Sequence, residues 1–479
     1  MKNKIMLITY ADSFGANLKE LGQLLLKYFP EEIGAVHILP FFPSSGDRGF
    51  APLTYDQVDT AFGTWADIDA LGENFQLMFD FMINHLSRQS PQFQDFIKNH
   101  DASPYKDMFL RFKDFWPNGY PTEDEIALLN KRKPHAPCID VSFGDGATEK
   151  IWCTFSDEQV DLNLESATTW TFVENALESL IRHHVSMVRL DAFAFATKKL
   201  GTSCFFVEPE MWNHMARIQS ILDRHQIPML PEIHDHYKIQ QKISDHGYYV
   251  YDFALPMLML HTLYTHDGRR LAHWLNICPR NQYTTLDTHD GIGVVDVEDL
   301  LSPDEIDHVC QQIKGHGANF KMDFSARAIE KPVVYQINCT FYSALDNDAA
   351  YLMARALQFF APGIPQVYYV GLLVGENDYA LMEATGSPRD ISRHNYTYQE
   401  VADAAQKPVV QRLCHLMRFR NGYDAFCGSC HVALPTQDHI IITRTQGHFK
   451  ATLDAHLANY RMSIFYDDPD SGQPLELEI

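Results

Sequence analysis

One feature constrains the fold of this 479-residue chain more than any other. Short apolar runs of strand length recur at residues 5–9, 35–41, 77–83, 187–192, 229–233, 248–254, 283–287 and 365–370. Segments with helical spacing separate them; in one, Phe172, Val173, Ala176, Leu177, Leu180 and Ile181 repeat on one face with polar residues between. Strands that alternate with helices become parallel strands joined by right-handed crossovers. Eight of them predict an α/β fold, a closed (β/α)8 TIM barrel rather than an open sheet.

Two intervals break the rhythm. Residues 85–163, with Pro, aromatics, Trp116, Trp152 and the basic run Lys131-Arg132-Lys133, read as a domain inserted after the third strand. Residues 291–343, rich in Asp and Glu, read as a second insertion after the seventh. The barrel then comprises residues 1–84, 164–290 and 344–421, and residues 422–479 alternate in the period-two manner of a small antiparallel β domain.

Composition narrows the functional classes. There are 39 basic against 62 acidic residues, a net charge of −23, and no Lys/Arg stripe for a phosphate backbone, so nucleic acid is not an expected partner. The start of the chain lacks the apolar core and cleavage site of a signal peptide, and no stretch approaches the roughly 18 apolar residues of a membrane span. The expectation is a cytoplasmic protein without membrane attachment, a monomer or a homodimer. Nine cysteines with no C-x-x-C suit neither a disulfide framework nor structural zinc and read as reduced, mostly buried thiols.

Function in such a barrel collects at the carboxyl ends of the strands. Four strands end there in acids: Asp80, Asp191, Glu232, and the Asp287–Asp290 block. An unpaired carboxylate buried at the end of an apolar run costs several kcal/mol, so each must be hydrated, paired or in use. Taken singly, each is as readily structural. Their recurrence predicts a carboxylate-lined pocket.

Arg189 and Asp191, two apart on a strand, face the same way, and the guanidinium holds Asp191 ionised as a nucleophile requires. Glu232, on the next strand beside an anion, suits the proton donor. Two neighbouring carboxyls in different protonation states are what cleavage of a glycosidic bond with retention needs.

Asp80-x-x-x-Asn84-His85, Arg189-x-Asp191, Glu232 and His289-Asp290, in this order, resemble the four short signature regions of the α-amylase superfamily, glycoside hydrolase family 13. The blocks beginning at Leu7, His37, Gly201, Leu286 and Pro365 are similar to its sucrose phosphorylase subfamily. The resemblance implies Asp191 as nucleophile, Glu232 as acid/base and Asp290 as the third carboxylate. It implies that His85 and His289 hold the glucosyl ring, that Asp47 and Arg393 clasp its far hydroxyls, and that Phe50 and Phe155 form apolar walls. Arg132, Lys133 and Tyr335 fall in loops where the subfamily binds phosphate, with Gln336 next to Tyr335 as a further substrate contact and His234 and His236 near the leaving sugar. Phe195 stands where a Tyr is common. Some related amylases hold calcium beside the inserted domain, but Asn84 alone is too little to argue for it.

The resulting expectation is a phosphorylase that moves glucose from sucrose to inorganic phosphate, without metal or cofactor. Its substrates are small molecules: an α-glucoside, phosphate and a sugar or polyol acceptor. Glycerol, glycerate and fructose 6-phosphate remain alternative acceptors. Tyr335, uncharged where a His is common, argues against a phosphorylated one. Two other classes remain as alternatives. In one, His234-x-His236 is a metal pair of a barrel hydrolase; in the other, the barrel is catalytically silent and binds sugars or proteins.

Overall fold

The computed structural model describes residues 2–322, 333–469 and 471–478. The chain packs as two compact units, one of Met1–His37, His234–Lys321 and Val334–Ile479, the other of Ile38–Ile233 with Met322–Val333.

All eight apolar runs form strands: β1 (Met6–Thr9), β2 (Ala35–Ile38), β3 (Gln76–Met82), β4 (Val185–Asp191), β5 (Met229–Pro231), β6 (Val250–Asp252), β7 (Gln282–Thr284) and β8 (Ile364–Tyr368). In the first unit the order is β6-β7-β8-β1-β2, and the pairs β6–β7, β7–β8 and β8–β1 are parallel. In the second, β3-β4-β5 are parallel in turn, with Asp80 opposite Arg189 and Met82 opposite Asp191. These are the strands of a (β/α)8 barrel, followed in the chain by an antiparallel β domain. They read as near-continuous apolar runs because strands with both faces covered bury most side chains; β1, β2 and β5 through β8 are buried at every position.

Several runs extend past their strands. Phe41 lies beyond β2, and Tyr369 and Val370 belong to the short helix Tyr369–Leu372. An apolar run signals burial, and burial continues after the ladder stops. The helical spacing at 172–181 corresponds to the helix Ala167–Ile181, which buries Trp170, Val173, Ala176, Leu177 and Leu180.

In the 85–163 interval, His85–Ser87 pairs antiparallel with Gln159–Asp161, and Cys138–Ser142 with Thr148–Trp152. The two tryptophans share an aromatic cluster with Phe112 and Phe115, Trp116 and Trp152 stacking at 6.1 Å. In the 291–343 interval, Ile292–Gly293, Val334–Asn338 and Asn319–Met322 form a three-stranded sheet, and the helix Pro303–Gly315 starts at a Ser302/Glu305 capping box. Residues 323–332 lie outside the described residues.

The last helix runs Pro408–Gly422, and the β domain begins only at Ser429. Its strands β9 (Ser429–Thr436), β10 (His439–Gln446), β11 (Phe449–His456), β12 (Arg461–Asp467) and β13 (Pro474–Glu476) pair antiparallel in sequence order. Ile440, Ile442, Ala451, Leu453, Ala455 and Ile464 form its buried face. Among the described residues no helix is long and apolar enough to cross a membrane. All nine cysteines are thiols and five are buried.

Candidate active site

In the second unit the site is built around one guanidinium. Arg189 is 2 % exposed, and its Nη1 donates both to Asp80 on the neighbouring strand and to Asp191 Oδ1 at 2.9 Å. Its Nη2 lies 4.0 Å from Glu232 Oε1. The β3–β4 register sets Asp80 directly opposite Arg189, and the two-residue strand period puts Asp191 on the same face. A cation hydrogen-bonded to two carboxylates and close to a third fixes the direction of the Asp191 carboxylate through a charge-assisted bond.

Glu232 is held from a second side. Ala192, the residue after Asp191, takes a left-handed conformation (φ 50°), and its N–H donates to Glu232 Oε2 at 2.9 Å. The peptide that leaves Asp191 therefore anchors Glu232. That one hydrogen bond ties the positions of the two carboxylates together, with side chains 13 % and 12 % exposed, open enough to meet a small molecule.

Around this pair the same unit supplies apolar and hydrogen-bonding walls. Phe50 lies 5.9 Å from the Arg189 guanidinium. It follows the turn Asp47–Gly49, where Asp47 and Arg48 both have positive φ and a side chain at Gly49 would meet the Pro40 carbonyl at 2.5 Å. Asp47 is exposed on that turn. His85 is buried, with Nε2 2.9 Å from the Phe50 carbonyl and a ring edge-on to Phe155 at 5.5 Å. Burial pushes its pKa down, against the nearby charges of Asp161 and Asp47, so near pH 7 it is a neutral hydrogen-bonding group. Phe155 meets Phe195 at 5.2 Å, and Phe195 carries the Arg132 guanidinium 5.8 Å from its ring. Lys133 reaches Asp157 at 3.3 Å.

One buried group went unnoticed in the sequence. Lys198, with a side chain only 3 % exposed, places its ammonium 2.8 Å from Asp161 Oδ2 and 2.9 Å from Asn84 Oδ1 and donates to the Phe195 carbonyl. The Asn84 oxygen is thus engaged by an ammonium. A lysine seven residues past Asp191 carries no mark of this role, because its two side-chain partners come from residues 84 and 161.

In the first unit, Asp290 and His289 follow β7. Asp290 Oδ1 accepts from Arg389 Nη1 at 2.9 Å, and its Oδ2 lies 3.2 Å from His289 Nε2. Arg393, expected to clasp sugar hydroxyls, spends Nε and Nη2 on the His289 carbonyl at 3.0 and 2.7 Å. This makes it a brace for the His289 backbone; Arg389, four residues earlier, is the cation on the carboxylate. Asp287 ends the same strand block but is taken by buried Arg355 at 2.7 Å, and its carboxyl pKa is raised by burial despite that partner.

His234 stacks on Phe253 at 3.8 Å, with Nδ1 3.4 Å from Asp296, a buried acid whose pKa is raised by burial. His236 reaches a different acid, Asp299, at 3.1 Å. The two histidines go to separate carboxylates. Tyr335 lies edge-on to His234 at 6.4 Å, and the Lys321 ammonium sits 5.9 Å from the Tyr335 ring. Gln336 is buried on the strand that pairs with Ile292–Gly293.

The family model for the alpha amylase catalytic domain matches residues 25–255. The chain is 50 % identical to a sucrose phosphorylase of Streptococcus mutans over 92 % of each protein. It is 43 % identical to a glucosylglycerol phosphorylase of Marinobacter adhaerens over 100 % of this chain and 99 % of that one. The crystal structure of sucrose 6F-phosphate phosphorylase from Thermoanaerobacter thermosaccharolyticum superposes with a TM-score of 0.97 at 41 % identity, over 100 % of this chain and 99 % of the other. With strand-end carboxylates, fold and sequence in agreement, the chain belongs to the sucrose phosphorylase subfamily of the α-amylase family, glycoside hydrolase family 13.

Proposed function

We propose that this protein is a retaining α-glucosyl phosphorylase that transfers glucose from sucrose to inorganic phosphate, releasing fructose and α-D-glucose 1-phosphate. The observation that carries the reading is the Arg189 guanidinium shared by Asp80, Asp191 and Glu232. In the first step the Asp191 carboxylate attacks the anomeric carbon, the bond to the fructosyl oxygen breaks, and Glu232 gives that oxygen its proton. In the second, a phosphate oxygen attacks the same carbon, the Asp191 ester bond breaks, and Glu232 takes back a proton. Two inversions restore the α configuration.

Asp290, held by Arg389 and His289, is assigned to grip sugar hydroxyls as the transition state develops positive charge. His85, His289, Phe50 and Phe155 are assigned to the glucosyl ring, and Asp47 and Arg393 to its far hydroxyls. Phosphate is an anion entering a carboxylate-rich site, and Arg132, Lys133 and Tyr335 are the groups assigned to offset that charge, Gln336 and His234 serving the acceptor.

A second reading has one observation in its favour. The uncharged Tyr335 argued against a phosphorylated acceptor, yet the Lys321 ammonium lies over its ring. A cation there could supply the charge-assisted contact, worth about 1.5–3 kcal/mol, that a phenol lacks. The test is kcat/KM in the synthetic direction with α-D-glucose 1-phosphate and fructose, fructose 6-phosphate, glycerol or glycerate. The leading reading requires fructose to be preferred. A clear lead for fructose 6-phosphate that Lys321→Met removes establishes the second, and turnover with none of the four refutes both.

A further inference from the structure

Outside the barrel, the β domain brings three potential ligands to one point. His439 and His456 face each other directly across the β10–β11 pair. Asp454, two residues before His456, lies on the same face of β11. The imidazoles stack at 4.2 Å with planes 18° apart. Both aim Nε2 at one oxygen: Asp454 Oδ1 is 2.8 Å from that of His439 and 3.3 Å from that of His456. One ligand atom from each residue falls within 4.8 Å of the others.

We propose that His439, Asp454 and His456 form a binding site for a divalent transition-metal ion of the zinc class, which cross-links β10 and β11 at the open end of their hairpin. A tetrahedral ion with bonds of about 2.0–2.1 Å holds neighbouring ligand atoms about 3.3 Å apart, close to the 2.8 and 3.3 Å between Asp454 Oδ1 and the two Nε2 atoms. Two imidazoles and one carboxylate select Zn(II), Ni(II) or Cu(II) over Ca(II) and Mg(II), which take mostly oxygen ligands. Water completes the shell, since His456 is half exposed. The scaffold beside the ligands is fixed: Leu457 N–H donates to the Asp438 carbonyl at 2.8 Å, closing the hairpin end next to both histidines. The ion takes the place of the hydrogen bonds between the rings and the carboxylate, each imidazole binding through Nε2 in its neutral form. The site plays no part in the transfer reaction proposed above and stands independently of it.

The experiment titrates the full-length, chelator-treated protein with Zn(II) by calorimetry and with Co(II) by absorption, alongside His456→Gln, His439→Gln and, as a thiol control, Cys427→Ser. All are first matched for melting temperature without metal. The wild type should bind one equivalent, with Co(II) showing ligand-field bands and no thiolate charge-transfer band. Each histidine variant should lose affinity by at least about tenfold, and Cys427→Ser should lose none. Saturating Zn(II) should raise the melting temperature of the wild type and of Cys427→Ser but not of the histidine variants. No binding by the wild type in Zn(II) excess, binding indifferent to both histidine substitutions, or a thiolate band would overturn the proposal.

Discussion

Replacing Lys198 with Met should cost the protein about 4 kcal/mol. The ammonium is buried and satisfies Asp161, Asn84 and the Phe195 carbonyl together. Asp161, itself fully buried, would keep only Thr154, whose N–H and hydroxyl donate to it at 2.8 and 2.5 Å. Breaking a buried ion pair by removing one partner costs about 3–5 kcal/mol, because the remaining charge is stranded. The two orphaned carbonyl oxygens add to this where water cannot reach them. For a unit of roughly 200 residues each kcal/mol moves Tm by about 2–4 °C, so the expected fall is about 10 °C. Differential scanning calorimetry reads it. The double variant Lys198→Met/Asp161→Asn removes the stranded charge and should recover more than half the loss. Because Lys198 also holds the carbonyl of Phe195, in the loop that follows Asp191, kcat with α-D-glucose 1-phosphate should fall in the single variant. A Tm within about 2 °C of wild type, or a double variant no better than the single, would refute the buried-pair argument.

Asp191→Asn should abolish glucosyl transfer without lowering Tm appreciably, since the amide keeps the volume but forms no ester; retention of a tenth or so of wild-type turnover would contradict the nucleophile assignment. Glu232→Gln should lose sucrose but keep α-glucosyl fluoride, whose leaving group needs no proton, and equal loss of both would remove Glu232 from the acid role. Asp252 offers a pH test. Burial raises its carboxyl pKa to about 7, against hydrogen bonds from Trp274, Leu255 and Gln282, whereas an unfolded Asp titrates near about 3.9. The folded state therefore holds the extra proton, and its contribution, complete below about pH 4, is lost as pH rises through about 7. Urea titrations from pH 4 to 8 should show that slope in the wild type and a shallower one in Asp252→Asn; identical slopes would count against it. Chelation should leave phosphorolysis unchanged, since Lys198 already engages Asn84 and Asp161, and activity restored only by a divalent cation would reverse that conclusion.

The parts of this molecule that were legible in its sequence are those whose chemistry is local. A parallel strand buried on both faces is apolar along most of its length, so β1 to β8 announced themselves. An acid that closes such a run is conspicuous for the same reason, which is how Asp191 and Glu232 stood out. That Asp191 shares a face with Arg189 also followed from short-range geometry, the two-residue strand period. The rest depended on residues far apart in the chain. Asp287 and Asp290 look alike as acids at the end of one strand block, yet Asp287 is committed to Arg355, 68 residues on, and Asp290 to Arg389, 99 residues on. No periodicity distinguishes them. Arg389 and Arg393 sit four apart, and only packing decides that one meets a carboxylate and the other a backbone carbonyl. Lys198 is the extreme case, an ordinary lysine in sequence whose three partners come from three segments. Strand ends therefore tell where charge is brought together, and long-range pairing decides which of those charges is left for substrate.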